Sequence, residues 1–361
     1  MPTPFFDAIR RLAVEAPERP SLTVGEVTLT RAALVAAVER VAAVFAERGV
    51  GEGSWVTLAV PNGIEFVEAA LAAWLLGGAP QPVARGLPPA EREAIIALAD
   101  PALVVAAEPT EAGGRPVLSA ADIARIATDP AAPRHEDAAV LSPEWKVVTS
   151  GGSTGRPKLI VTTSPADADA LRGLALLLRL RPDGTTLVTG PMSHNAPYVL
   201  LIAGLLLGNH MVVMPRFDAV EALRLVERHG VDWLYLVPTM MLRIWRLPEQ
   251  ERLGYDVSSL RIAFHMAALG EQGGHPLDGG HQLRPRERHL AHGERRPLRR
   301  RDREPTDGVE EGPGHAEQRS ATNWCSTPPS EGRALINRLL EQARSPKHCR
   351  SRSSRTATRR P

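Results

Sequence analysis

The first 268 residues alternate between stretches with apolar residues at helical spacing and short apolar runs typical of strands. Thr30 is suited to cap a helix in which Leu34, Val38, Val41 and Phe45 share one face, ending near Gly49. The same reasoning predicts helices over 66–76, 88–98, 166–180, 200–207 and 219–229. It predicts strands over 55–60, 82–83, 103–106, 185–189, 211–214 and 233–237. Helices alternating with strands indicate an α/β fold built in layers.

The hydrophobic pattern fades after residue 268, and the composition changes with it. Of the 43 basic residues, 24 lie before this point against 29 acidic residues, and the remaining 19, all but one of them arginine, follow it with 12 acidic residues. Large apolar residues are too sparse there to offset the entropy of ordering the chain. We therefore predict a largely disordered basic tail over 269–361, with a short helix over 333–343 as the exception.

The positions of the cysteines and the lengths of the apolar segments bear on disulfides, metal sites and membrane spans. Both cysteines, Cys325 and Cys349, lie in the tail, which gives no support to a disulfide framework or to a paired metal site. The apolar run over 199–207 is far too short to span a membrane, and the first residues lack the pattern of a signal peptide. The sequence thus predicts a cytoplasmic protein with no membrane span.

One glycine- and hydroxyl-rich loop carries the clearest chemistry of the chain. Its residues are Thr149, Ser150, Gly151, Gly152, Ser153, Thr154 and Gly155, followed by Arg156, Pro157 and Lys158. Glycines bring backbone N–H groups close to an anion, hydroxyls add donors, and the lysine adds positive charge. Apolar runs on both sides predict two strands joined in a hairpin. A Walker A loop is disfavoured because its lysine opens a helix; a simple surface turn is the bland alternative.

The loop and several flanking segments resemble the adenylate-forming superfamily, which includes acyl-CoA synthetases and aryl-acid ligases. The family loop reads Ser/Thr-Ser/Gly-Gly-Ser/Thr-Thr-Gly-x-Pro-Lys-Gly, and Leu159 replaces the final glycine here. Further family-like segments begin at Leu29, Gly49, Pro61 and Leu76, and we interpret these four as structural. The segment Val237-Pro238-Thr239 also matches, and the side chains of Met240, Met241 and Trp245 after it are more typical of core than of pocket.

The resemblance implies a fold, a reaction and a set of cofactors. It implies the layered α/β subdomains of the adenylate-forming N-terminal domain, with a first portion over 1–140 and a phosphate-loop and acyl-pocket portion over 141–268. It implies an ATP-dependent carboxylic acid–CoA ligase that uses ATP, Mg²⁺ and coenzyme A. The carboxylate of a small-molecule acid would attack the α-phosphorus of ATP to give acyl-AMP and pyrophosphate, and coenzyme A would then form the thioester.

The same resemblance suggests where the acid would bind. His194 matches the histidine of a family segment that leads into a helix beside the acyl pocket, and a capping role for this histidine fits equally well. Asn195 follows it and is suited to cap the next helix. His265 and Ala267 stand in a turn that lines the acyl and adenine pockets in relatives, where His265 replaces a small residue. We therefore assign His194, Asn195, His265 and Ala267 as candidate substrate-binding residues.

The later family motifs are missing from the tail. Relatives carry Tyr-Gly-x-Thr-Glu for the α-phosphate and Mg²⁺, Thr-Gly-Asp for the ribose, and a lysine that approaches the α-phosphate; none has a counterpart after residue 268. A shifted reading frame in a GC-rich gene would produce such a change. We therefore expect a catalytically incomplete enzyme. The alternatives are a ligand-binding remnant without catalysis and a basic arm that binds nucleic acid, which interleaved glutamates disfavour.

Overall fold

Two sheets with parallel cores, one of seven strands and one of four, organise the protein. The computed structural model describes residues 1–107, 114–150 and 157–265, and the backbone of two short strands at 281–282 and 324–326. Within these residues the predicted α/β fold in layers is confirmed. Helices alternate with strands along the chain, and the strands are β1 Pro20–Val24, β2 Val27–Thr30, β3 Trp55–Ala59, β4 Ala79–Pro82, β5 Leu103–Ala106, β6 Val117–Ser119, β7 Val147–Ser150, β8 Lys158–Val161, β9 Thr185–Val188, β10 His210–Val213, β11 Trp233–Leu236, β12 Ile262–His265, β13 His281–Gln282 and β14 Trp324–Ser326.

The seven-stranded sheet has the order β14-β12-β11-β9-β10-β1-β2, and the four-stranded sheet has the order β4-β3-β5-β6. Strands β12, β11, β9, β10 and β1 run parallel, and antiparallel strands β14 and β2 close the two edges. The four-stranded sheet is parallel throughout. Strands β7, β8 and β13 form a small antiparallel sheet. In parallel sheets the strand ends that carry ligand sites gather at the carboxyl edge.

The helices of the described residues fill the spaces beside and between these sheets. They are α1 Phe5–Glu15, α2 Arg31–Glu47, α3 Ile64–Leu75, α4 Pro89–Ala99, α5 Ala120–Thr128, α6 Ala168–Leu177, α7 Asn195–Leu206, α8 Ala219–His229, α9 Pro238–Trp245 and α10 Glu249–Arg252. None of the helices in this part of the chain is long and apolar enough to cross a membrane.

Three hydrophobic cores follow from the side chains on alternate faces of the strands. The largest core packs α2, α3, α5 and α7 between the seven-stranded and the four-stranded sheets. A second core lies under α8 and α9, on the outer face of the seven-stranded sheet. The third joins the outer face of the four-stranded sheet to α4 and to the β7–β8 hairpin. Each sheet is thus covered on both faces, as parallel sheets require.

Local capping explains several of the predicted helix boundaries. The Thr30 hydroxyl accepts a hydrogen bond from the Ala33 N–H at 3.2 Å, and Asp218 caps α8 by accepting from the N–H groups of Val220 and Glu221. The first cap confirms the predicted role of Thr30, and the second lets α8 begin at the predicted residue, Ala219. Gly230 ends α8 in the left-handed region, with φ of 59°, which glycine adopts without strain.

The structure also contains elements that the hydrophobic pattern missed. Helix α1, the β1–β2 pair and the β6–α5 unit have no counterpart among the predicted elements. Their apolar runs are short, and their partners are distant in sequence: β1 pairs with β10 almost 190 residues later. Strands β1 and β2 therefore join a sheet whose other described strands come from beyond residue 184.

Two strands lie within the segment 269–361, which the sequence predicts to be a largely disordered tail. Strand β13 pairs with β8, and β14 pairs with β12. The remaining residues of that segment, the predicted 333–343 helix among them, lie outside the described residues.

Glu68 is an ionisable side chain in the middle of the largest core. It lies on α3 with 3% of its surface exposed, and its Oε2 atom has no hydrogen-bond partner. Burial, with a smaller contribution from the nearby Glu65 carboxylate, raises the pKa of Glu68 to about 8. The folded protein therefore holds a proton on Glu68 between pH 4.5 and 8, whereas the unfolded chain releases it. The stabilisation that the protonated Glu68 contributes is fully present below pH 4.5. It is lost as the pH rises from 4.5 through 8.

We expect Glu68→Gln to remove this pH dependence. Between pH 4.5 and pH 8 the free energy of unfolding should shift in favour of the variant by on the order of 5 kcal/mol, because the amide carries no charge to bury. Urea unfolding of both proteins across this range measures the shift. Glu65→Gln, three residues away on the same helix, is the control and should follow the wild-type profile closely. A constant difference between Glu68→Gln and wild type at every pH would contradict the expectation.

Candidate functional site

The β7–β8 hairpin presents the glycine- and hydroxyl-rich loop. Its two strands pair antiparallel, with Val147 opposite Val161 and Ser150 opposite Lys158. This confirms the prediction that the loop joins two strands rather than opening a helix. Residues 151–156, which include the predicted Gly151, Gly152, Ser153, Thr154 and Gly155, lie outside the described residues, as does the Ser150 side chain.

The two ends of this loop have different environments. The Lys158 side chain is exposed at the start of β8. The Thr149 hydroxyl is buried, and no residue of the described ranges is its hydrogen-bond partner. Alternation along β7 places Thr149 on the same face as Val147, which packs in the core shared with the four-stranded sheet. Of the predicted phosphate-binding side chains described, Lys158 therefore reaches solvent and Thr149 lies under the loop.

Beneath the hairpin, the four-stranded sheet contributes a second buried polar group. Gln81 on β4 is fully buried and shares a face with Ala79 and Val83, which belong to that same core. Its Oε1 atom accepts a hydrogen bond from the Thr57 hydroxyl, and its Nε2 atom has no partner among the described residues. Buried polar groups without partners are uncommon. The core under the loop thus contains two such groups, the Thr149 hydroxyl and the Gln81 amide nitrogen.

The loop after β9 carries the predicted acid-binding residues His194 and Asn195. Its first residue, Thr189, donates a hydrogen bond from its hydroxyl to the carbonyl oxygen of Tyr235 on β11, at 2.5 Å. Gly190 follows, and a Cβ there would lie 2.8 Å from Cγ of Pro197. Only glycine allows the loop to pass this close to the first turn of α7.

Asn62 holds this loop from the other sheet. It follows β3, and its amide nitrogen donates to the carbonyl oxygens of Gly190 at 2.9 Å and Met214 at 3.1 Å. Its Oδ1 atom accepts from the Met192 N–H at 2.8 Å. One side chain therefore ties the loops after β9 and β10 to the turn after β3. The residues Pro61-Asn62-Gly63 are typical of a turn, but nothing in the sequence predicts the long-range hydrogen bonds of Asn62.

The structure corrects the predicted role of Asn195. Helix α7 begins at Asn195, five residues earlier than predicted, because Pro197 is tolerated in a first helical turn. His194 is the residue at the cap position, and its side chain makes no capping hydrogen bond. The prediction that Asn195 caps this helix is therefore wrong. Its Oδ1 atom accepts a hydrogen bond from Nζ of Lys146 instead.

Lys146 is a site residue that sequence reasoning missed. It immediately precedes β7, only 4% of its surface is exposed, and its ammonium also lies 4.4 Å from the centroid of the Trp145 ring. The contact with Asn195 brings the strand that leads into the loop against the start of α7. A charged residue between Trp145 and Val147 in an apolar run was the available signal, because lysine is rarely buried without a partner.

The remaining predicted residues stand at the carboxyl edge of the seven-stranded sheet. His194 is exposed, and His265 is partly buried as the last residue of β12, opposite Leu236 of β11. Two strand spacings of about 4.8 Å separate β12 from β9, so His265 lies about 10 Å from the end of β9. Ala267 lies outside the described residues. The fold thus brings His194, Asn195 and His265 to one edge.

Two tyrosines near this edge, Tyr198 and Tyr235, are buried. Burial raises the pKa of Tyr198 well above its usual value, and it raises that of Tyr235 as well. Tyr198 stacks on Trp74 at 5.9 Å between centroids and meets Phe66 edge-on. Both tyrosines therefore remain neutral at physiological pH, and Tyr198 is part of the largest core.

Comparison with known proteins identifies the family to which the chain is related. A family model described as "AMP-binding enzyme" matches residues 9–288, which extends past residue 268, where the sequence resemblance was expected to end. The chain is 32% identical over 251 residues to 4-coumarate–CoA ligase 5 of Oryza sativa subsp. japonica, covering 63% of this chain and 46% of that protein. It is 29% identical over 280 residues to the pyochelin synthase PchD of Pseudomonas aeruginosa, covering 72% and 51%. The chain thus spans about half the length of these relatives.

A solved structure shows the same fold. The N-terminal domain of FACL13 from Mycobacterium tuberculosis, in an inhibitor-bound crystal structure, superposes with a TM-score of 0.65. Its sequence is 21% identical, and the match covers 73% of this chain and 70% of that domain. The described layers of sheets and helices are therefore those of that domain.

We expect Asn62→Ala to loosen the loop after β9. The substitution leaves two carbonyl oxygens and one N–H without their partner, which should lower the free energy of unfolding by about 2–4 kcal/mol. It should also speed hydrogen exchange at the amides of 190–194.

Asn209→Ala provides a matched control for this test. Asn209 makes two side-chain hydrogen bonds, to the Gly184 N–H and the Thr186 hydroxyl. It lies at the amino edge of the seven-stranded sheet, opposite the edge where the loop after β9 lies. Its loss should lower stability and leave local exchange at 190–194 unchanged. Equal exchange rates in both variants would show that Asn62 does not hold this loop.

Proposed function

The chain belongs to the AMP-binding enzyme family, and we propose that it forms the nucleotide- and acid-binding part of an ATP-dependent carboxylic acid–CoA ligase. In this reaction a carboxylate oxygen attacks the α-phosphorus of ATP, pyrophosphate leaves, and the thiol of coenzyme A then displaces AMP to form the thioester. The observation that carries the proposal is the contact between Lys146 and Asn195. It joins the strand of the phosphate loop to the helix that begins the predicted acid site.

The phosphate groups of ATP have a suitable partner in the hairpin. Lys158 is exposed at the exit of the loop and stands opposite Ser150, so its ammonium is free to approach anionic oxygens. The glycine- and hydroxyl-rich loop between these residues has the composition that cradles phosphates. We assign the nucleotide to this loop, with Thr149, Ser150, Gly151, Gly152, Ser153, Thr154, Gly155 and Lys158 as its binding residues.

Mg²⁺ has no ligand set in the described part of the protein. Residues 1–107, 114–150 and 157–265 contain no group of three histidine, cysteine or acidic side chains arranged to hold a metal ion. We therefore assign no residue to the metal and no step of the reaction to it.

The acid is assigned to the carboxyl edge of the seven-stranded sheet. His194 and Asn195 at the start of α7 and His265 at the end of β12 provide polar groups there. The same helix carries Tyr198, which packs with Phe66 and Trp74 in the largest core. Polar groups at the rim of an apolar core suit a carboxylate on an apolar body. The 4-coumarate named for one relative has this shape, and it is our first test substrate.

We further propose that the chain binds these ligands with little turnover. Electrostatic stabilisation of the transition state dominates phosphoryl-transfer chemistry, and it needs charged groups on every side of the reacting phosphorus. The sequence after residue 268 offers no counterpart to the family's Thr-Glu pair, ribose aspartate or catalytic lysine; its one lysine, Lys347, lacks the family's surroundings. A ligand-binding remnant and an enzyme by ancestry are thus compatible descriptions.

ATP–pyrophosphate exchange tests the proposed lack of turnover. We expect exchange at background with 4-coumarate, with a long-chain fatty acid and with a steroid acid, because the groups that stabilise the pentavalent phosphorus are missing. The rice 4-coumarate–CoA ligase serves as the positive control for 4-coumarate. Exchange within tenfold of that enzyme would show that the chain supplies these groups from other residues.

ATP binding tests the assignment of the nucleotide to the hairpin. Lys158→Ala should weaken ATP binding about tenfold, since one charge-assisted hydrogen bond to a phosphate contributes roughly 1.5 kcal/mol. Lys158→Arg keeps the charge and should weaken binding less than threefold. Calorimetric titration of ATP into each protein measures the effect. Unchanged affinity in Lys158→Ala would place the nucleotide elsewhere.

A further inference from the structure

Lys146 occupies a position that normally excludes a charged side chain. It is 4% exposed, at the entry to β7, and its ammonium lies against the Trp145 ring and the Asn195 side chain. Burying an ammonium is unfavourable unless its N–H groups are paired. The contact with Asn195 provides such pairing, and it crosses from the hairpin to the first residue of α7.

The chemistry of the two groups fixes the orientation of the amide. A lysine ammonium has three donors and no acceptor, so only the Oδ1 atom of Asn195 is able to face it. The NH₂ group of Asn195 therefore points away from Lys146. No described residue accepts a hydrogen bond from this Nδ2 atom. Asn195 is partly exposed beside His194, at the carboxyl edge where the acid is assigned.

We propose that Lys146 is a positioning residue that holds the Asn195 amide as a hydrogen-bond donor to the carboxylate of the acid substrate. The proposal rests on the function proposed above. Without Lys146 the amide would be free to turn over and present Oδ1, an acceptor, which repels a carboxylate oxygen. With Lys146 in place, the site accepts groups that receive a hydrogen bond and disfavours groups that only donate one.

The same contact couples the two halves of the site. Lys146 lies three residues before Thr149 on the strand that enters the phosphate loop, and Asn195 begins the helix that follows the loop after β9. Asn62 fixes that second loop from the four-stranded sheet. A movement of β7 would therefore move Lys146 and Asn195, and with them the amide that faces the acid.

A double-mutant cycle on acid binding tests the proposal. The probe is 4-coumarate, titrated calorimetrically into the full chain saturated with a non-hydrolysable ATP analogue. Lys146→Met keeps the length of the side chain and removes the donors, and it should weaken binding about tenfold. Lys146→Arg restores a donor and should weaken it less than threefold. Asn195→Ala should weaken binding about tenfold, and adding Lys146→Met to it should weaken binding no further.

The cycle separates positioning from a direct or a purely structural role. If Lys146→Met weakens binding by the same factor with and without Asn195, the lysine acts on the ligand or on the fold and the proposal fails. It also fails if Lys146→Met binds the acid as wild type does. Should Lys146→Met not fold, Asn195→Asp carries the test: it keeps a contact with Lys146 and loses the donor, so it should fold normally and lose acid binding. Wild-type affinity in Asn195→Asp would overturn the proposal.

The proposed function and this inference fail in distinguishable ways. If the wild-type chain binds none of the tested acids, the proposed function fails at that step. The contact itself is then measured by urea unfolding of the same four proteins. The double variant should lower the unfolding midpoint by less than the sum of the two single variants, whereas strictly additive midpoints would show that Lys146 does not hold Asn195.

Discussion

The burial of helix α3 between two sheets is the constraint on which the rest of this structure depends. Every residue from Phe66 to Leu75 is buried, so both faces of the helix must be covered at once. A helix that is buried all round needs a layer of structure on each side. The seven-stranded and four-stranded sheets are those layers, and their separation is the thickness of the helices between them.

This packing places the start of α3 next to the loops after β9 and β10. The turn before α3 carries Asn62, and because the helix is fixed between the sheets, Asn62 reaches the loops after β9 and β10. Its three hydrogen bonds cross from one sheet to the other. Thus the burial that stabilises the core also brings the carboxyl edges of two sheets together, and a ligand site is able to form between loops that are far apart in sequence.

Two buried ionisable groups, Glu68 and Lys146, have different environments in the interior. Glu68 has no hydrogen-bond partner for Oε2, so burial raises its pKa and keeps it neutral. The Lys146 ammonium contacts the amide oxygen of Asn195 and the ring of Trp145, and both contacts stabilise its positive charge. The first group makes the core sensitive to pH, and the second links the segment that enters β7 to the start of α7.

Much of the architecture followed from the sequence by itself. Periodicity and caps such as Thr30 and Asp218 determined the α/β class and most central helices, because these signals depend on neighbours within a few residues. The hairpin and its resemblance to a known family could also be predicted, because a glycine- and hydroxyl-rich loop is recognised from consecutive residues. Only the tertiary structure decided that α7 starts at Asn195, that β1 joins β10, that Asn62 bonds to the loop after β9, and that Lys146 contacts Asn195. Those outcomes depend on contacts between distant segments, and a single sequence carries no local signal for the partner a polar side chain will find.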